Sequence, residues 1–202
     1  KLWPNVRGEN TMTLLAIGLL LFAGLHLVKS LAPALRSELQ GRLGENAYKG
    51  MFSLLVLASL ALIALGWRGA TPGFVYTPSP ALTMPALLLL VAAFLLMVVS
   101  SRPSGLRRVV RHPQLSGVAL WGIAHLLLNG DSRALLLFGG MTVWAVVEIL
   151  AINHRDGNWV KPEAPGAATE LVNLLIAAGV IALLVYLHPW LAGVAVTGPL
   201  RQ

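Results

Sequence analysis

The sequence predicts an all-α polytopic membrane bundle of about six transmembrane helices. Two observations predict it: 56% of the 202 residues are hydrophobic against 11% charged, and the apolar residues come in long runs broken by prolines and glycines. A soluble core of this size needs a charged shell that the chain lacks. The absence of cysteine excludes disulfides, thiolate ligands and a cysteine nucleophile. The net charge of +7 does not point to nucleic acid, because the Lys and Arg residues lie between apolar runs, where membrane orientation accounts for them.

Six runs approach the roughly 20 residues that cross hydrocarbon: 12–31, 50–67, 82–100, 114–129, 133–152 and 170–190. The fourth is short and ends at Asn129-Gly130-Asp131, so runs four and five read as a helical hairpin whose crossing is in question. Pro33, Pro72, Pro78, Pro80, Pro103, Pro162 and Pro165 fall between runs, and Ala34 to Leu43 reads as a short interfacial helix. The expected domain is single and covers 12–202. Residues 1–11 read as a non-native or disordered extension, since Met12 directly precedes the first run. That run is not read as a signal peptide despite Ala32-Pro33-Ala34, because its positive charge follows it.

Positive charge predicts orientation. Loops one, three and five carry Lys29, Arg36, Arg42, Lys49, Arg102, Arg107, Arg108, Arg111, Arg155 and Lys161; the other side holds Arg68, Arg133 and the charges of the two ends. The odd loops are therefore expected in the cytoplasm of a bacterial inner membrane, with both termini outside.

Intramembrane ionisable groups are costly, which makes them candidates for function. His125 sits within the fourth run, with Gln114, Gly117, Trp121, Gly122 and Asn129 on or near its face. His26 lies in the first run, and Gly18 and Ala23 share its face. Such small residues would leave room for a flat ligand. The plain alternative is that both histidines hydrogen-bond between helices. His112 reads as an interfacial turn residue, His154 as solvated in a loop and His188 as a cap of the last span. Glu148 is expected to snorkel or pair with Arg155, with His26 at similar depth as another partner. Trp121 and Trp144 read as packing residues.

Several motifs in order resemble one family. They are His26 in Leu25-His26-Leu27-Val28-Lys29-Ser30, then Arg42-Leu43-Gly44-Glu45-Asn46-Ala47-Tyr48-Lys49-Gly50, the block from Arg111-His112-Pro113 to Asn129-Gly130-Asp131, Leu137-Phe138-Gly139, Trp144-Ala145, and His188-Pro189-Trp190-Leu191-Ala192-Gly193. From about Met12 onward the chain resembles the NnrU family, small bacterial integral membrane proteins associated with nitric oxide and denitrification. The family also contains the plant ζ-carotene isomerase, a membrane enzyme using haem b held by two histidines. The resemblance implies haem b, with His26 and His125 as iron ligands, and a haem-dependent isomerase or redox role on a hydrophobic small molecule. Where that enzyme has a cysteine one turn before the second histidine, this chain has Gly122. At about 1.5 Å per residue, His26 lies roughly 8 Å and His125 roughly 16 Å from the cytoplasmic side, so a haem between them would need tilting.

A second class shares one motif. Arg111-His112-Pro113, a spacer, Gly117 and a later acidic residue resemble the membrane methyltransferases of the isoprenylcysteine and phospholipid type. That resemblance implies S-adenosylmethionine near His112, Gly117 and Glu148. The usual aromatic is Leu115 here, and the expected pair of glutamates is reduced to Glu148. A non-catalytic membrane accessory protein is the third class.

Overall fold

Each apolar run folds as a helix because a chain in hydrocarbon must satisfy its backbone polar groups within itself. The computed structural model describes the backbone of residues 6–193 and the side chains of residues 11–193. These form α1 (Val6–Leu31), α2 (Pro33–Leu43), α3 (Glu45–Gly69), α4 (Thr83–Val99), α5 (Pro113–Leu128), α6 (Ser132–Asp156) and α7 (Ala167–Ala192). Among the described residues five helices are long and apolar enough to cross a membrane. α5 has 16 residues and spans about 24 Å, short of the roughly 30 Å of hydrocarbon. The amphiphilic piece expected at 34–43 is α2, which starts on Pro33, where the missing N–H costs nothing. Of the expected extension, residues 1–5 lie outside the described residues, while the backbone from Val6 continues α1.

The helices pack in the neighbour order α3, α1, α6, α5, α4, α7. Glycines set the closest approaches. A Cβ on Gly66 would stand 2.4 Å from the Leu15 backbone nitrogen, and one on Gly18 would stand 2.8 Å from that of Ile63, so α1 and α3 touch backbone to backbone. Gly117 packs on Ala93 and Met97 of α4, and Gly122 on Phe138 and Thr142 of α6. These glycines, expected to leave room for a flat ligand, are filled by neighbouring helices. Ala23 likewise packs against the core of Ala119, Trp144 and Ala145.

Loop contacts gather into two opposite ends. At the basic end Arg155 Nη1 donates to the Lys29 carbonyl (3.0 Å), Arg111 Nη1 to that of Gly157 (2.7 Å), and Arg102 Nε to Asn173 Oδ1 (2.7 Å). Glu170 of α7 accepts from Ser104 Oγ and the Gly105 N–H, which docks α7 on the loop between α4 and α5. At the other end, the turn end, residues 70–82 fold over Asn129-Gly130-Asp131. Val75 and Tyr76 both donate to the Gly130 carbonyl, at 2.9 and 3.0 Å. The Tyr76 hydroxyl donates to the carbonyls of Leu126 and Asn129. Arg68 Nη2 reaches the Trp190 carbonyl at 3.2 Å, so the two ends of the helix row meet there.

Candidate functional site

The two intramembrane histidines have the same local chemistry. His26 Nδ1 lies 2.8 Å from the Phe22 carbonyl and His125 Nδ1 lies 2.8 Å from the Trp121 carbonyl, each one turn back on its own helix. A carbonyl only accepts, so in each ring Nδ1 carries a proton, and in the neutral ring Nε2 then holds the lone pair. That is the tautomer which a metal-ligating imidazole adopts.

Their surroundings are separate. His26 sits among Phe22, Phe52 and Trp144, with ring centroids at 4.3, 5.7 and 5.3 Å. His125 stacks on Phe138 at 4.3 Å and 22° and leans on Trp121 at 4.9 Å. Phe138 belongs to a π-helical stretch, Leu135–Gly139, near the start of α6. The irregular turn re-aims the following side chains, a device common at functional sites. On α6 the contacts of the two histidines, Phe138 and Trp144, are six residues or about 9 Å apart along the axis. Each imidazole keeps a donor chemistry suited to haem iron, and aromatic rings stand beside both.

Around His26 the polar groups form a layer between α1 and α6. Ser30, one turn after His26, donates from Oγ to Glu148 Oε1; Trp144 stands one turn before Glu148. Glu148 was expected to snorkel or to pair with Arg155, with His26 as another partner. Arg155 instead binds Asp156 (2.7 Å) and the Lys29 carbonyl, because α6 extends past the end of α1 and carries that guanidinium beyond the carboxylate. Glu148 is 6% exposed and Trp144 8% exposed, and Glu148 Oε2 and Trp144 Nε1 have no hydrogen-bond partner.

At the basic end His112, at the N-terminus of α5, places Nε2 2.9 Å from Asn153 Oδ1. A cavity of about 280 Å³ beside it is lined by Arg107, Arg111, His112 and Gln114. Gly117 faces α4 and Glu148 faces α1, so His112, Gly117 and Glu148 do not assemble into one site. Asn129 lies at the far end of α5, where Nδ2 donates to the His125 carbonyl (2.8 Å) and caps the helix. His154 is exposed in the last turn of α6 rather than in a loop. Sequence reading missed Ser30, Tyr76, Asn173 and Glu170, polar residues whose partners lie 50 or more positions away.

The fold and these side chains define a polytopic helical membrane protein with half-buried imidazoles and a buried carboxylate. Among the described residues no three His, Cys, Asp or Glu side chains converge as a metal site. The chain belongs to the NnrU family: the family model described as NnrU protein matches residues 14–196. It matches no curated protein and no solved structure.

Proposed function

We propose that this NnrU protein is a haem b protein of the bacterial inner membrane serving nitric oxide and denitrification metabolism, as a redox component or an isomerase of the ζ-carotene type. The observation that carries the reading is the state of His125, with Nδ1 bonded to its own helix and Nε2 bearing a lone pair beside an irregular turn of α6. Haem, when bound, supplies redox chemistry at an iron whose properties its axial ligand tunes. The chain holds the imidazole in one tautomer through Trp121, orients it by stacking on Phe138, and surrounds it with apolar groups. His125 is the principal ligand in this reading, on account of the irregular turn of α6 beside it. A hydrophobic substrate would reach such a site from the bilayer.

The test is the absorption spectrum, oxidised and reduced, of protein purified in mild detergent from haem-sufficient cells. Wild-type protein should carry haem, His125→Ala should lose it or shift its spin state, and His26→Ala should retain the wild-type spectrum. No haem after reconstitution, or an unchanged His125→Ala spectrum, refutes the assignment.

A second reading, S-adenosylmethionine at the basic end, has the cavity beside His112 in its favour. At about 280 Å³ that cavity is slightly below the roughly 300 Å³ where small-molecule pockets begin, and Glu148 is turned away from it. Saturable S-adenosylmethionine binding lost in His112→Ala would establish it.

A further inference from the structure

Two buried polar atoms in the His26 layer lack partners, and their chemistry restricts what can complete them. Trp144 Nε1–H can only donate, so a bare cation or an ammonium group leaves it unsatisfied. Glu148 Oε2 offers carboxyl lone pairs, so a group that can only accept leaves them unused. An oxygen that both accepts and donates meets both demands, and that is a hydroxyl.

The surroundings specify the rest of the molecule. Phe22, Phe52 and the Trp144 ring border the half-buried His26 with apolar surface. The layer lies at the basic end of α1, one residue from Leu31 at Ser30, the level at which an amphiphile holds its polar head. Arg155 is engaged with Asp156 and Lys29, so no protein cation neutralises the free oxygen of Glu148 by direct contact. α3 and α6 are clasped at the turn end by Trp67 on Phe138 and by Arg133 over Trp67, whereas at the layer His26 stands between Phe52 of α3 and Trp144 of α6.

We infer that Trp144, Glu148 and Ser30 form a binding site for the hydroxyl head of a membrane-soluble alcohol, whose oxygen accepts from Trp144 Nε1–H and donates to Glu148 Oε2. The site uses neither His125 nor iron, so it stands apart from the haem reading.

A photoactivatable prenyl alcohol and its methyl ether, which accepts but cannot donate, test this on the full chain in lipid nanodiscs. The alcohol should label peptides of α1 and α6 saturably and the ether should not. Trp144→Phe keeps an aromatic ring in place but removes the N–H together with the five-membered half of the indole; Glu148→Met keeps the volume and removes the acceptor. Each should weaken labelling by about tenfold, the effect of losing one hydrogen bond to a buried polar group. Should Glu148→Met fail to fold, Trp144→Phe decides alone. Equal labelling by alcohol and ether, or undiminished labelling in Trp144→Phe, overturns the site and leaves those atoms to a bound water. The readout is covalent labelling rather than colour, so it is independent of haem content.

Discussion

Tyr76 shows how much one side chain can hold at the margin of a membrane. Its hydroxyl serves the carbonyls of Leu126 and Asn129, where α5 ends and leaves its last acceptors without helical donors. Tyr76→Phe should cost about 1–3 kcal/mol, the penalty of stranding a buried polar group, and should loosen residues 70–82. Thermal unfolding in detergent and amide exchange over that loop measure both. Residue type and depth were legible in the sequence for His26, His125 and Glu148, because an ionisable group in an apolar run stands out. Their partners were not. Ser30 and Glu148 are 118 positions apart, and nothing in either neighbourhood announces the other. The expectation that Glu148 meets Arg155 came from spacing on one helix, and the structure gives that carboxylate to a serine on another.

Among helices, the backbone contact of α1 with α3 makes the sharpest demand. Gly66→Ala would drive a methyl group to within 2.4 Å of Leu15, so the pair must separate. A loss of roughly 1–3 kcal/mol is expected. Gly179→Ala, with nothing within 4 Å of its Cβ, should be neutral or slightly stabilising. Comparing the two melting temperatures checks the contrast. Helix positions were legible because apolar length and proline punctuation are local properties; α2 and the short α5 were both visible that way. Neighbour order was not, since a glycine at a crossing reads the same whichever helix fills it. The stripe of small residues around His125 was real, but Gly117 and Gly122 turned out to serve two different helices.

For the whole molecule, the concentration of Arg and Lys at one end predicts that this end faces the cytoplasm. Ser104 lies in a basic-end loop yet is 1% exposed beneath Glu170, so it cannot report on that side. Val109 (78% exposed) and Phe74 (81% exposed) lie at opposite ends. In a chain without cysteine, Phe74→Cys should react with an impermeant thiol reagent on intact spheroplasts and Val109→Cys only after lysis. The reverse pattern would invert the topology.

The contact of α1 with α6 also sets a timetable. Ser30 leaves the ribosome 118 residues ahead of Glu148, which at about 5–20 residues per second is a delay of roughly 6–24 s. Once α3 has followed, α1 and α3 can pair through their glycines, while the face bearing His26 and Ser30 still has only lipid or the insertion machinery beside it. The protein is thus built around an early hairpin that must wait, with its polar side uncovered, for a helix made much later. A shortage of α6, by truncation or slow synthesis, would leave that hairpin as the species most exposed to quality-control proteolysis.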